Sequence, residues 1–550
     1  MDAEQFRKAG YAAVDEIIDY FTNLQSRRVA SSVSPGYLRP LLPAKPPDEG
    51  EEWGDIQKDI EAKIMPGLTH WQSPDFMAFF PANSTYPSIL GEMYSAAFTA
   101  PAFNWLCSPA CTELETVVLD WLCHLLHLPA SYLSTSATGG GGVIQGSASE
   151  AIVTVMVAAR EQYIRRHCRL AVPQPASEVE AEDGEWRLRT RLVALGSEMS
   201  HSSTQKAAMI AGVHYKSIPV DVTDDFALTG RGLTEVLQDL TRRGWEPFYL
   251  TLTLGTTSTC AVDHFKEIAE VKKQFPDMWV HIDAAYAGAA LLLEEYQELT
   301  DGFEAFDSFD VNMHKWLLTN FDASCLFLPC REPLISALTI TPPYLQNDHS
   351  SSGLVTDYRD WQIPLGRRFR ALKIWFVLRS YGVNGMKNHV KRHIGLGDVF
   401  ANWVKDEGSD LFELVAPPRF ALTVLRVKLP EEKKEKATTP FVMSKAATTE
   451  TKVDEGLASN DIFPLPNEAD RGRQIDTLTR TNAVTKEVYE RINSNGDILL
   501  TSTMIKDCYA IRVVGANEQT DEQHLRKAFE ILARTTEEVL RKLESKAGSE

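Results

Sequence analysis

The 550-residue sequence lacks an excess of basic charge, lacks any long apolar run and has little cysteine, and each shortage removes a class of function. Acidic residues outnumber basic ones 75 to 56, a net charge of −19. A general nucleic-acid or anionic-membrane binder needs a basic face to neutralise phosphates, so neither partner is expected. No stretch reaches the roughly 18–20 apolar residues of a membrane span. The first ten residues, MDAEQFRKAG, show no apolar run behind a basic segment, so no secretory leader is expected and the chain reads as cytoplasmic. Eight cysteines are widely scattered. Cys107 with Cys111, and Cys123 with His124 and His127, lie close together, but no second cluster completes a zinc site. No metal is expected, and the thiols read as reduced, partly buried groups.

What is present is an ordinary globular composition, 44% apolar and 24% charged, in a chain too long for one small core. Val14, Ile17, Ile18, Phe21 and Leu24 recur at helical spacing. Residues 32–52 are rich in Pro and Gly and cannot form regular helix; such a segment crosses a surface or wraps a partner subunit. Residues 111–127 give a second helix, with Leu114, Val117, Val118, Trp121, Leu122 and Leu125 on one stripe. From about 135 to 330 short apolar runs alternate with helical stretches: RLVALG, FYLTLTLG, MWVHIDAAY, SFDVNM and ASCLFL. GGGGVIQGSASEA reads as the opening of a helix. Short β-rich runs with helix between them imply parallel strands joined by crossovers, which bind ligands at the carboxyl ends of the strands. Residues 341–366 read as a long loop. Residues 430–475 are polar and poor in aromatics and read as a flexible insertion. The remainder reads as a small α+β unit.

Three motifs carry chemistry. Gly139–Gly146 followed by SASE places backbone amides at a helix start, where Ser147, Ala148 and Ser149 could cradle an anion; four glycines in a row equally suit a flexible loop. Ser147 and Glu150 have capping-box spacing. Asp283 ends an apolar strand, where a carboxylate needs a partner: a protonated pyridine nitrogen, or the start of a following helix that it caps. Lys315 follows another apolar run beside Asn312 and His314. Among hydrophobic neighbours a lysine becomes an amine nucleophile, although most lysines are simply solvated. Together they form a set: an anion cup, then a carboxylate, then a lysine about thirty residues later. That is the order in which pyridoxal phosphate needs a phosphate site, a ring-nitrogen partner and an aldehyde partner.

At this point the sequence resembles the aromatic L-amino acid decarboxylases, the group II pyridoxal-phosphate decarboxylases of fold type I. The strings that carry the resemblance are PGYLRPLLP, IMPGLTHW, FFPANSTYPSIL, SPACTELE, GGGVIQGSASEA, HIDAAYAGAA, MHKWLLTNFD and TDYRDWQIPLGRRFRALKIWFVLRSYGV. They run in the family's order from about residue 6 to 400, more loosely to the C-terminus, and leave out 430–475.

The resemblance implies an α/β fold: a central mixed, mainly parallel sheet flanked by helices, a helical N-terminal arm and a small α+β C-terminal domain. The expected divisions are an arm over 1–85 that wraps a homodimer, a cofactor domain over 86–385 and a C-terminal domain over 386–550. It implies that Lys315 holds the cofactor, that Asp283 pairs with the ring nitrogen and that Ala285 packs beside the ring. Ala148, Ser149, Asn312 and His314 surround the phosphate, with Thr257 and Gly366 near. His201 stacks on the ring, and Tyr344, on the long loop, protonates the substrate carbon. Trp71, Phe79, Pro101 and Phe103 line the substrate pocket, Pro101 and Phe103 coming from the neighbouring subunit.

The implied reaction is decarboxylation of tryptophan, 5-hydroxytryptophan, phenylalanine, tyrosine or DOPA to the arylalkylamine. The rival is an aromatic aldehyde synthase, a branch in which Phe typically replaces the loop tyrosine. Three positions depart from animal members: Phe79, Ala82 and Gln72 stand where Tyr, Thr and His are common, which suggests a pocket less suited to catechols. Met313 stands where Pro often precedes the His-Lys pair.

Overall fold

The computed structural model describes residues 1–171, 178–340, 342–351, 354–429 and 468–547. Its β-rich runs assemble into one seven-stranded sheet: β1 (Gly141–Gln145), β2 (Leu192–Ser197), β3 (His214–Ile218), β4 (Glu246–Thr253), β5 (Trp279–Asp283), β6 (Ser308–Asn312) and β7 (Ser324–Leu328). The order is β1-β7-β6-β5-β4-β2-β3. The pairs β2–β3, β2–β4, β4–β5 and β5–β6 are parallel; β6–β7 and β1–β7 are antiparallel. Every residue of β2, β5, β6 and β7 is buried, because helices cover both faces, and so these runs lack polar alternation.

Helices α1 (Ala3–Thr22) and α2 (Trp53–Asp59) form the N-terminal segment, followed by α3 (Tyr86–Phe98) and α4 (Pro109–Leu125). Around the sheet lie α5 (Ala148–Ala171), α6 (Glu178–Arg189), α7 (Ser202–Ala211), α8 (Gly230–Arg242), α9 (Phe265–Lys272), the single turn α10 (Met313–Trp316) and α11 (Glu332–Leu338). Then come α12 (Asp348–Ser351) and α13 (Arg370–Lys405), which turns at Gly382. One core, including Leu122, Leu250, Ile282, Phe309, Trp316 and Ile374, fills one face of the sheet. A second, including Val143, Ile152, Phe248, Trp279 and Leu326, fills the other. Helices α3 and α13 cross closely at Gly91, where a Cβ would collide with the backbone of Lys373. The C-terminal unit is an antiparallel sheet, β10-β11-β9-β8, of β8 (Phe412–Leu414), β9 (Leu422–Val427), β10 (Thr501–Ile505) and β11 (Cys508–Val514). It is packed by α14 (Glu468–Asn495) and α15 (Glu522–Ala547).

The α/β architecture is as expected, with several local corrections. GGGGVIQ does not open a helix: Gly141–Gln145 is a strand on β7, and α5 begins at Ala148. Glycines depress strand propensity, but Gly142 gains a partner strand whose Phe327 ring would press on any Cβ there. β3 carried no sequence signal because it is an edge strand with Ile218 its one buried residue. The stripe on α4 is offset from that expected. Val118 and Leu122 are buried, as are Glu115 and Leu119, while Val117 and Trp121 face outward. No residue of α1 is buried. The long loop over 341–366 holds short helical turns and buries Leu345, Tyr358 and Trp361. Of the expected insertion, residues 430–467 lie outside the described residues and 468–475 belong to α14. Among the described residues no helix is long and apolar enough to cross a membrane.

Candidate active site

Parallel strands end at one edge of the sheet, and three adjacent ends here are polar. Thr253, Asp283 and Asp310 are register partners across β4, β5 and β6. Strand alternation places His281 two residues before Asp283 and Asn312 two after Asp310, on matching faces. All five are buried. Asp283 Oδ1 accepts the Ala285 amide at 3.1 Å, so one of its oxygens closes a local turn. Burial pushes the Asp310 carboxyl up; His281, 3.6 Å away, opposes that, and the Asp283 charge adds to it. Thr253 Oγ1 and Asn312 Oδ1 are buried with no hydrogen-bond partner among the described residues. Buried polar atoms are costly unless something satisfies them, so this edge suits a polar ligand.

Lys315 sits on α10, directly after β6. Its amine lies 5.7 Å from the Phe80 ring centre, and among the described residues nothing accepts a hydrogen bond from it. Phe80 stacks on Tyr286 at 3.8 Å, and Tyr286 on Trp316 at 4.7 Å, so the lysine rests on an aromatic column. Burial lowers the Lys315 pKa below the usual lysine value, against the opposing pull of Asp283 and Asp310. The side chain nevertheless keeps some open surface. It is a desolvated amine. His314 Nδ1 lies 2.8 Å from the Ala323 amide nitrogen and 2.9 Å from the Ala323 carbonyl, so the Ala323 main chain holds the ring. Burial pulls its pKa down to about 4.

At the start of α5 the expected capping box is half formed. Ser147 Oγ accepts the Glu150 amide at 3.2 Å, and the Glu150 carboxylate reaches back to the Gly146 amide at 2.9 Å. The amides of Ser147, Ala148 and Ser149 are first-turn donors that the helix cannot satisfy; Ala148 is buried and Ser149 exposed. A buried amine whose pKa burial lowers, a carboxylate at a neighbouring strand end and an open helix N-terminus fit an aldehyde, a pyridine nitrogen and a phosphate. The residues present therefore fit pyridoxal phosphate.

The other expected residues fall into two groups. His201 caps α7, its Nδ1 taking the Ser203 amide at 3.2 Å, and lines a cavity of about 440 Å³ with Thr257, Ser258, Glu198 and Lys506. Ala285 is buried beside Asp283. Trp71 and Phe79 stack at 5.5 Å and stay open to solvent, while Phe80, next along the chain, enters the core. Phe79 has a φ of 53°, which lets neighbouring rings diverge. Gln72 is spent on main chain, bonding the Ala82 carbonyl and the Ser84 amide. The second group is not gathered within one chain. Tyr344 is 78% exposed, Pro101 is exposed, and a Cβ on Gly366 would meet nothing within 4 Å. The segments carrying these residues are joined to one another. Arg359 donates its amide to the Phe103 carbonyl at 3.0 Å, Arg367 to that of Pro101 at 3.1 Å, and the Trp105 amide reaches Asp357 at 2.9 Å.

Sequence reasoning missed His281, Asp310, Arg512 and Asn83. Period-two alternation in HID and SFDVN was the available signal for the first two. Arg512, buried on β11, lies 5.1 Å from the Phe80 ring centre, with Nε and Nη2 unpartnered among the described residues. Nothing local in AIRVV marks it. The cysteine–histidine groups form no metal site: among the described residues no cluster is placed to hold an ion. Burial pushes the Cys123 thiol up to about 12.

The chain matches the family model for the pyridoxal-dependent decarboxylase conserved domain over residues 35–428. It is 39% identical to an aromatic-L-amino-acid decarboxylase of Cavia porcellus across 98% of this chain and 99% of that protein. It is 37% identical to a phenylacetaldehyde synthase of Arabidopsis thaliana across 98% of both. The crystal structure of an Oryza sativa TDC with PLP and tryptamine superposes with a TM-score of 0.84 at 34% identity, covering 98% of this chain and 99% of that one.

Proposed function

The chain belongs to the pyridoxal-dependent decarboxylase family, a pyridoxal-phosphate-dependent carboxy-lyase, and on that premise we propose that it decarboxylates an aromatic L-amino acid and releases the arylalkylamine. The observation that carries this reading is the buried Lys315 amine on an aromatic column that includes Phe80; the preceding residue, Phe79, stacks on Trp71 in an open pair that suits a flat ring. Lys315 would hold the cofactor covalently, Asp283 would keep its ring nitrogen protonated, and the first turn of α5 with Ser149, Asn312 and His314 would hold its phosphate. When bound, pyridoxal phosphate supplies the sink for the electron pair left by departing CO2. His201 would lie against the cofactor face, and the Tyr344 hydroxyl would deliver a proton to the substrate α-carbon, work that needs placement more than strength.

Tyr344 favours amine over aldehyde as the product, since the oxidative branch typically has Phe at this loop position. The exposure of Tyr344, Pro101 and Gly366 supports a second copy of the chain. The 101–105 and 357–367 segments are bonded together, so a partner receiving Phe103 would receive the Tyr344 loop with it. The apolar side chains exposed on α1 and α3, including Val14, Ile18, Met93, Tyr94 and Phe98, suit the same homodimer. The spending of Gln72 on main chain, with Phe79 and Ala82 offering no hydroxyl, points to indole or phenyl substrates before catechols. Steady-state kinetics on tryptophan, 5-hydroxytryptophan, phenylalanine, tyrosine, DOPA, histidine and glutamate, with CO2, amine and peroxide all measured, test this reading. Aromatic turnover with amine as product is expected. Greater turnover of histidine or glutamate, or peroxide in step with CO2, overturns it.

A further inference from the structure

The one-turn helix that carries Lys315 is too short to satisfy its own carbonyls, and other side chains do so. Thr319 Oγ1 donates to the Leu317 carbonyl at 3.3 Å, Thr85 Oγ1 to Leu318 at 2.8 Å and His389 Nε2 to Trp316 at 3.1 Å. The carbonyl of Lys315 itself is taken by Asn83, whose Nδ2 donates at 2.6 Å. Asn83 is almost wholly buried. Its Oδ1 accepts the Glu518 amide at 3.3 Å, from the turn between β11 and α15. That turn is itself fixed: Asn517 Nδ2 donates to the Trp71 carbonyl at 2.7 Å, Thr520 Oγ1 to the Pro74 carbonyl at 2.8 Å, and Arg392 Nη1 to the Thr520 carbonyl at 2.6 Å. Gln72 holds the main chain on either side of Asn83. One amide thus bridges the lysine turn, the segment before α3 and the C-terminal unit, every flanking group already committed.

We propose that Asn83 is a positioning residue for the cofactor lysine: by holding the Lys315 carbonyl it fixes the direction in which the side chain leaves the backbone, and so where the amine sits relative to Asp283. The inference rests on the reading of Lys315 given above. Without the donor, that carbonyl becomes a buried unsatisfied acceptor, and the turn gains other orientations of similar energy.

The test compares Asn83→Ala, Asn83→Asp and Thr85→Val as holoenzymes, reading the near-visible absorbance band, its pH midpoint, kcat, KM and Tm. Asn83→Ala is expected to lower kcat about tenfold, the equivalent of one buried hydrogen bond, with KM changed less than about twofold, and to shift the midpoint of the band. Thr85→Val, which loses a bond of the same kind three residues on, is expected to lower Tm while leaving band and kcat near those of the parent. In Asn83→Asp a protonated carboxyl can donate to the Lys315 carbonyl and an ionised one repels it. Its activity and band should therefore recover towards acid pH. Parent-like band and kcat in Asn83→Ala, equal losses in Thr85→Val, or a pH-independent Asn83→Asp each overturn the proposal; the last decides it should Asn83→Ala fail to fold. Lys315→Ala separates the two readings. A borohydride-sensitive band surviving in that variant defeats the assignment of Lys315, whereas its loss alongside parent-like Asn83 variants defeats this inference alone.

Discussion

Replacing Glu115 with Gln should destabilise the protein severely and loosen the substrate side of the site. Glu115 and Arg367 are both buried and paired through two bonds, Nη2 to Oε1 at 2.6 Å and Nη1 to Oε2 at 2.9 Å. Oε1 also takes the Ile144 amide at 2.8 Å, and Arg367 Nε reaches Gln362 at 2.8 Å. The guanidinium lies 4.6 Å from the Tyr358 ring centre. The pair thereby ties α4, β1 and the end of the long loop together. Gln preserves the shape, but it removes the charge and turns an NH2 towards an N–H donor. Removing one partner of a buried pair leaves the other uncompensated, at a cost of about 3–5 kcal/mol. At about 2.1 cal/mol/K of unfolding entropy per residue over the 550-residue chain, that is a Tm loss of roughly 3–4 °C by thermal scanning. Replacing both partners with Met should recover most of the loss, because apolar groups of similar volume can be close to neutral there. A rise in KM should accompany Glu115→Gln, since the Arg367 amide holds the Pro101 carbonyl. A Tm drop under about 2 °C, or losses that simply add in the double variant, would refute the argument.

Four further outcomes are expected. Tyr344→Phe should shift the product from amine towards aldehyde, peroxide and ammonia; unchanged amine output in a coupled assay would remove the proton-donor role. Phe79→Tyr with Ala82→Thr should raise kcat/KM for DOPA relative to phenylalanine by about two- to tenfold per hydrogen bond gained, read by competition. Stability should fall in acid. Burial pulls His389 to about 3, His314 to about 4 and His393 well below the usual histidine value, so all three are neutral when folded. A depressed histidine leaves full stability above pH ~6.5, and each group then removes up to about 1.4 kcal/mol per pH unit as the pH falls towards its folded value. His389→Gln, which keeps an N–H donor for the Trp316 carbonyl, should flatten the urea midpoint against pH between 6.5 and 5. Finally, Phe98→Glu on the exposed face of α3 should yield monomers in light scattering and lose activity with the assembly; an active monomer would exclude a shared site.

The sequence revealed those parts of the fold whose physics is local. β4 to β7 were legible because strands buried on both faces read as continuous apolar runs. The residues ending those runs lie at the strand ends because parallel crossovers put them there. β1 and β3 were not legible: one is rich in glycine and owes its strand form to β7, the other is a polar edge. Asp310 was hidden in plain view, since a carboxylate two residues from Asn312 acquires meaning once β6 is known to lie beside β5. Asn83 and Arg512 are a different case. Each acts on the surroundings of Lys315 from more than 190 residues away in the chain, through a hydrogen bond or a ring contact that no spacing rule describes.

The exposed half of the site follows from the same limit. Hydrophobic periodicity reports which face of a helix is apolar, not what covers it. On α1 the predicted stripe is only partly covered in a single chain: Phe21 meets the Tyr86 ring and Leu24, just past the helix, is buried, while Val14 and Ile18 stay exposed. Tyr344 and Pro101, proposed above as site residues, are likewise exposed, and Gly366 has open space around it. Two-fold association would resolve both at once, because an isologous contact that buries one apolar face also presents each chain's 101–105 and 344–366 segments to the other. In the proposed homodimer that coupling would make assembly part of catalysis. An α3 variant should therefore lose substrate turnover before it loses the near-visible band of bound cofactor, since Lys315, Asp283 and the start of α5 all belong to one chain.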